Sequence, residues 1–273
     1  MAFAGKLRST LSRFSRRRHA IVSARNQPTE EIAFKTSGHC PVCDKPVDFE
    51  SRDSWFRDHL LCSNCGSLPR ERALMKVIDL HFPEWQEAVI HEASPAKRGA
   101  SLRLARECAR YTASRYELGQ TPGSFVRGTR CEDLESLSFR DESIDLHITQ
   151  DVLEHVFRPK AAFQEIGRTL APGGMHIFTV PLVNKSSPSR ARAVIENGQV
   201  VHLEPELYHG SPAGRVLVTV DWGFDICQHI FDACGLFTYL VHIDDLSQGI
   251  RAEYNEVLIT VKPRSDRREF GNS

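Results

Sequence analysis

Past residue 88 the chain alternates short apolar runs with stretches of helical period. Apolar runs at 88–92, 111–115, 129–132 and 145–150 have strand length. Between and after them, 101–110 and 160–170 have helical spacing, the second with Phe163, Ile166 and Leu170 on one stripe. That helix is expected to stop at Ala171-Pro172-Gly173-Gly174, with a strand over 175–180 directly after it. A helix over 223–234 and strands over 236–243 and 256–262 close the pattern. Strands that alternate with helices predict βαβ units, hence a mostly parallel, doubly wound sheet covered on both faces. Upstream, 68–81 reads as a helix with Leu74, Val77, Ile78 and His81 on one side and Pro83 closing it. The stretch 181–222 has no clear period and holds Pro181, Pro188, Pro205 and Pro212; a compact domain would use such a segment as a lid or substrate loop.

A chain of 273 residues accommodates one full α/β domain and a small module beside it, and not two large domains. Lysine plus arginine equal aspartate plus glutamate at 35 each, so no global field draws the whole chain to nucleic acid or an anionic membrane. Local charge is different. Lys6, Arg8, Arg13, Arg16, Arg17, Arg18 and His19 precede the first acidic residue, Glu30, with Phe3, Leu7, Leu11 and Phe14 at helical spacing. Such a segment is either a solvated tail or a basic amphipathic helix able to touch an anionic membrane surface. An arginine-rich start also has the composition of an organelle transit peptide, but the expected location is the cytosol, there being no apolar run of signal-peptide or membrane-span length.

Four of the eight cysteines form two pairs, Cys40 with Cys43 and Cys62 with Cys65, separated by 18 residues. Two-residue gaps let a tight knuckle aim both thiolates at one point, and two knuckles supply the tetrahedral sulfur set of a structural Zn²⁺ site. Four thiolates close the shell, so the metal is expected to hold the fold and not to do chemistry; His39 and His59 lie nearby but are not needed. Cys108, Cys131, Cys227 and Cys234 sit in apolar patterns and read as core fillers.

Between 131 and 181 the pattern becomes specific. Leu137-Ser138-Phe139, then Asp141-Glu142-Ser143-Ile144-Asp145-Leu146, then Asp151-Val152-Leu153-Glu154-His155-Val156 and Leu170-Ala171-Pro172-Gly173-Gly174 resemble, in order and spacing, class I S-adenosylmethionine-dependent methyltransferases that act on small molecules and glycans. The cysteine pairs and Leu68-Pro69-Arg70-Glu71-Arg72-Ala73 in front make the whole similar to zinc-ribbon methyltransferases associated with sugar or polysaccharide modification. The resemblance implies a seven-stranded sheet with its last strand antiparallel, and S-adenosylmethionine across the strand ends. The organisation expected is a basic segment over 1–30, a zinc ribbon with its connecting helix over 31–82, a methyltransferase domain over 83–264 with a lid or substrate insertion at 181–222, and a tail over 265–273.

By the same resemblance Glu92 anchors the cofactor loop, Ser94 lies in that loop, Ser114 stands where the ribose is bound, Asp133 accepts from the adenine amino group, Leu134 packs near the adenine ring and Gln150 flanks the methionine part. Two departures stand out. The acidic-x-Gly-x-Gly-x-Gly loop of the family reads Glu92-Ala93-Ser94-Pro95-Ala96-Lys97-Arg98-Gly99 here, and the usual ribose-binding acid is missing from Tyr111-Thr112-Ala113-Ser114-Arg115, with Glu117 further on. Methyl transfer to a hydroxyl asks for proximity and a base. His155 is the candidate base, with Asp151 and His209 as further catalytic candidates; the competing reading of His155 is a packing or capping residue, and that of His209 a surface histidine. The expected acceptor is a sugar, glycan or small metabolite. Alternatives are an RNA methyltransferase that grips phosphates with ribbon and basic tail, and a catalytically silent module that kept the fold.

Overall fold

The computed structural model of the chain describes residues 32–211 and 214–264. The basic segment 1–30 and the tail 265–273 lie outside them, and with them the membrane-contact reading. The described residues form one compact unit. Among the described residues no helix is long and apolar enough to cross a membrane.

A hairpin opens the described chain, β1 (Phe34–Cys40) with β2 (Lys45–Ser51). It is followed by a one-turn α1 (Phe56–His59), the two-residue β3 (Leu61–Cys62) and α2 (Pro69–His81). The α/β part then runs β4 (Ile90–Ala93), α3 (Gly99–Glu107), β5 (Tyr111–Arg115), β6 (Phe125–Val126), β7 (Thr129–Cys131), β8 (Ile144–Gln150), α4 (Pro159–Thr169) and β9 (Leu170–Thr179). Six short strands fill the insertion: β10 (Arg190–Ala191), β11 (Ala193–Glu196), β12 (Gln199–His202), β13 (Tyr208–Ser211), β14 (Gly214–Leu217) and β15 (Val220–Asp221). The chain closes with α5 (Ile226–Cys234), β16 (Phe237–Val241) and β17 (Val257–Val261).

The main sheet has the order β16-β17-β9-β8-β4-β5-β7-β6. Strands β7, β5, β4, β8 and β9 are mutually parallel, and β17 lies antiparallel between β9 and β16. The expected seven strands and their antiparallel last member are present, and the two-residue β6 adds an eighth at the edge, antiparallel to β7. Strand β9 begins at Leu170, five residues before the expected start, because the Pro-Gly-Gly run is absorbed into it with a shift of register against β8. Gly174 permits this: a Cβ there would stand 2.9 Å from the carbonyl oxygens of Ala171 and Asp145.

One core unites Cys40, Phe49, Leu60 and Cys62 of the ribbon with Leu74 and Ile78 of α2, Leu104 of α3, and Ile90 and Ile148 of the sheet. The other face packs Phe163 and Ile166 of α4 and Ile226 and Ile230 of α5 around Phe178 and Trp222. Inside the sheet, three histidines stand side by side on β4, β8 and β9, with His91 paired to His147 and His147 to His176. His91 Nδ1 and His147 Nδ1 are 3.0 Å apart, His147 Nε2 meets Thr169 Oγ1 at 2.8 Å, and His176 Nε2 meets Thr149 Oγ1 at 3.1 Å.

Burial pushes His91 and His176 down to about 3 and His147 well below its ordinary value. The folded chain therefore keeps all three neutral where the unfolded chain binds protons, so stability is retained above an unfolded pKa of about 6.5 and falls with pH below it. Between pH 7 and pH 6 the three together are expected to lower the unfolding free energy by about 2 kcal/mol. Urea unfolding at the two pH values checks this, and His147→Asn should flatten the dependence.

Candidate active site

The chain passes from β4 to β5 on one side of the sheet and from β8 to β9 on the other. The switch point thus lies between the carboxyl ends of β4 and β8, where a doubly wound fold places its ligand. Two of the expected residues meet across it: Gln150 Nε2 donates to Glu92 Oε1 at 2.7 Å. Glu92 is fully buried and also accepts from Ser101 Oγ at 2.6 Å and Tyr111 Oη at 2.7 Å. Burial pushes its carboxyl up, against those three donors. Ser101 Oγ in turn accepts from the Ala96 amide at 3.1 Å, so the carboxylate reaches the loop 94–98 through one hydroxyl.

That loop manages without its missing glycines in two ways. Ser94 itself takes a left-handed φ of 54° and donates its amide to Ser114 O at 2.8 Å; such a conformation costs a non-glycine residue about 1–2 kcal/mol. The surviving Gly99 has φ 57° at the start of α3, where a Cβ would sit 2.3 Å from the Glu71 carboxylate. Glu71, on α2, also accepts from Arg98 Nε at 3.1 Å, and so the helix that follows the ribbon braces the loop from behind.

Asp133 and Leu134 follow β7. Asp133 is half-buried and burial raises its carboxyl; Oδ1 accepts from the Glu135 amide at 2.8 Å, and Oδ2 has no protein donor among the described residues. Leu134 is buried among Leu137, Leu153 and Phe163. Ser114 does not meet the ribose expectation. Its side chain is buried and its hydroxyl is spent on His91 Nε2 at 2.7 Å, under the sheet. At the end of β5 it is Arg115 that reaches the loop, donating to Pro95 O at 2.8 Å.

Asp151 is also placed otherwise than expected. It lies just past β8 with φ 52°, and its Oδ2 is shared by Arg57 Nη2 at 2.7 Å and Arg70 Nε at 2.8 Å while Oδ1 accepts from Thr179 Oγ1 at 3.0 Å. Burial alone would raise the carboxyl, but the two guanidiniums and the hydroxyl outweigh it and hold Asp151 below the ordinary range. A carboxylate fixed in the ionised form by two arginines is a poor proton acceptor, so Asp151 is a structural anion and not a base. Neither arginine was singled out for a role from the sequence. The available signal was Arg70-Glu71-Arg72 at the start of a helix buried on several sides, where charges need partners.

His155 and His209, 54 residues apart in the chain, do come together. Their rings pack edge to face with centroids 5.2 Å apart, and both approach the Glu154 carboxylate, His209 Nδ1 at 3.6 Å and His155 Nε2 at 3.7 Å from Oε1. His155 Nδ1 lies 2.8 Å from Leu217 O and so carries the proton, leaving Nε2 as the basic nitrogen. Glu154 beside it raises His209. The hairpin of β13 and β14 brings His209 there, and the Thr219 amide and hydroxyl hold the turn by donating to Glu154 O at 2.7 and 3.1 Å.

In the ribbon, Cys40 Sγ and Cys65 Sγ are 3.8 Å apart, Cys43 Sγ and Cys62 Sγ 3.9 Å, and all four sulfurs lie within 4.8 Å of one another as free thiols. Four Zn–S bonds of about 2.3 Å in a tetrahedron would set sulfurs about 3.8 Å apart, so the set fits zinc. Arg72, wholly buried, packs its guanidinium 4.6 Å from the Phe49 ring and donates to Ser67 O, Leu60 O and Gly249 O.

The sheet order and the acidic residues at its strand ends define the class I methyltransferase architecture. Residues 100–178 match the family model described as a methyltransferase domain. Similar solved structures include an S-adenosylmethionine-dependent methyltransferase from Mesorhizobium loti, at TM-score 0.45 and 14% identity over 70% of this chain and 97% of that one. A SAM-bound amino pentose methyltransferase from Micromonospora echinaspora, involved in calicheamicin biosynthesis, has TM-score 0.45 and 14% identity over 72% and 92%. The 1,6-didemethyltoxoflavin-N1-methyltransferase of Burkholderia thailandensis, with 1,6-didemethyltoxoflavin and S-adenosylhomocysteine bound, has TM-score 0.42 and 13% identity over 71% and 78%. Among curated proteins none matches the sequence.

Proposed function

We propose that the chain methylates a hydroxyl on a sugar, glycan or small metabolite in the cytosol, with Cys40, Cys43, Cys62 and Cys65 holding a structural Zn²⁺. The observation that carries the reading is the Glu154, His155 and His209 cluster, set one turn beyond Gln150 by the insertion hairpin. When bound, S-adenosylmethionine supplies a methyl group already activated on sulfonium. What remains for the protein is to orient both partners and remove a proton from the acceptor. Asp133 Oδ2 is free to accept from the adenine amino group with Leu134 beneath the ring, and Gln150 flanks the methionine part. His155 Nε2 has the tautomer to take the acceptor proton. The insertion 181–222 covers this end as the acceptor lid.

The ribbon supports this reading and not an RNA grip. Arg57, Arg70 and Arg72 point inward and are spent on Asp151, backbone carbonyls and the Phe49 ring, which leaves them off any phosphate. Calorimetric titration of the zinc-loaded chain with S-adenosylmethionine and its demethylated product tests the cofactor site. Asp133→Ala is expected to weaken both about tenfold or more, by loss of a hydrogen bond to a charged group. No binding to folded, metal-replete protein would leave a silent module.

A further inference from the structure

Proton transfer by His155 does not account for the burial of Glu154. Its side chain is 1% exposed, and both carboxylate oxygens lack a hydrogen-bond partner among the described residues. A buried carboxylate without partners is expensive, and proteins relieve the cost with a cation. Two imidazole nitrogens face it, His155 Nε2 at 3.7 Å and His209 Nδ1 at 3.6 Å, both too far for good hydrogen bonds. The three ligand atoms all lie within 4.8 Å of one another.

We propose that Glu154, His155 and His209 form a second metal site, which holds one divalent transition-metal ion through a carboxylate oxygen and two imidazole nitrogens. Bonds of about 2.1 Å at tetrahedral angles set ligand atoms about 3.4 Å apart, so the two carboxylate–imidazole distances need to close by a few tenths of an ångström and the two imidazole nitrogens, within 4.8 Å of each other, by about 1.4 Å at most. The surroundings match a metal ligand's outer shell. His155 Nδ1–H donates to Leu217 O at 2.8 Å, the backbone contact that fixes a ligating histidine's tautomer and turns Nε2 to the ion. Thr219 pins the Glu154 carbonyl on the same turn. Two imidazoles and one carboxylate suit zinc, iron, cobalt or nickel more than magnesium or calcium. Three protein ligands also leave positions open, unlike the closed four-thiolate set.

The use of those positions rests on the methyl-transfer reading; the ion site itself does not. An acceptor with two adjacent oxygen donors would fill them, and the ion would lower the pKa of the bound hydroxyl. Its proton then leaves to solvent, its oxygen bonds to the methyl carbon, the carbon–sulfur bond breaks, and that electron pair returns to sulfur as a thioether. His155 serves as a ligand in this scheme and the ion replaces it as the activator.

Titration of the zinc-loaded chain with Co²⁺, followed by visible absorbance and by elemental analysis for zinc, tests the site. One added Co²⁺ per chain is expected, with the weak bands of nitrogen and oxygen ligands, no intense sulfur charge-transfer band, and the zinc retained. Glu154→Gln and His209→Ala should each weaken uptake about tenfold or more. Glu154→Gln keeps the side-chain shape and removes a buried charge, so with zinc held at the four thiolates and no Co²⁺ added it should melt no lower than the parent, and it should gain nothing from Co²⁺. No uptake beyond the thiolates, or uptake unchanged in both variants, would overturn the proposal. Because S-adenosylmethionine binding is read separately by calorimetry, a cofactor site that works beside an empty ion site would reject the ion alone.

Discussion

Stripping the metal from Cys40, Cys43, Cys62 and Cys65 is expected to unfold the whole of 32–264 and not the ribbon alone. Metal binding at four thiolates contributes about 10–16 kcal/mol of folding free energy, while a whole domain of this kind is stable by about 5–15 kcal/mol. The ribbon's Phe49, Leu60 and Cys62 lie in one core with Leu74 of α2, Leu104 of α3 and Ile148 of β8, so its loss opens apolar surface on the sheet. Arg72 adds to the effect, since its carbonyl acceptors include Ser67 beside the thiolates and Gly249 next to the last strands. Circular dichroism during chelation should show loss of the sheet together with the ribbon, in one transition, and Cys62→Ser should behave as the chelated protein does. A chelated chain that retained its melting temperature would mean that the four thiols hold no structural metal.

The elements that packing dictates were the legible ones. Strand 111–115 was bounded to the residue, and α2, α4 and β8 to within a residue or so; the apolar stripes of α2, α4 and β8 face a core directly. The insertion escaped because its strands are two to four residues long and pair only locally. Even so, Asn197-Gly198 was a readable hairpin turn; both residues have positive φ, and β11 and β12 flank them. For the site, spacing picked out four cysteines whose sulfurs lie within 4.8 Å of one another, and strand ends picked out Glu92 and Gln150, which meet at 2.7 Å. Ser114 was misplaced because a parallel strand covered on both faces carries no polar alternation to say which side a serine takes. The partners of Asp151 were hidden for another reason. Arg57 and Arg70 precede it by 94 and 81 residues, and no local pattern encodes a pairing of that range.

That pairing carries the second large expected effect. Replacing Asp151 by Asn keeps a residue that tolerates the left-handed φ of 52° and removes only the charge, which takes from Arg57 and Arg70 their shared buried anion and leaves Asp58 as the anion beside Arg70. Breaking a largely buried pair in this way costs about 3–5 kcal/mol, and the side-chain exposures of 7%, 16% and 19% put this cluster in that regime and not among surface bridges. Arg57→Ala should cost at least as much, because Arg57 also donates to the carbonyls of Glu253 and Tyr254. The double variant should lose less than the sum, as the shared interaction is counted once. The pH dependence has a definite sign: the carboxyl is held below its unfolded value of about 3.9, so its contribution is complete above that pH and disappears as pH falls through the lower, folded value. Urea unfolding of the four proteins at neutral pH measures the coupling, and turnover separates the roles. If Asp151 were the base, Asp151→Asn would abolish methyl transfer at unchanged stability; as the anion that fastens α1 and α2 to the end of β8, it should lower stability first and activity only as far as the site loosens.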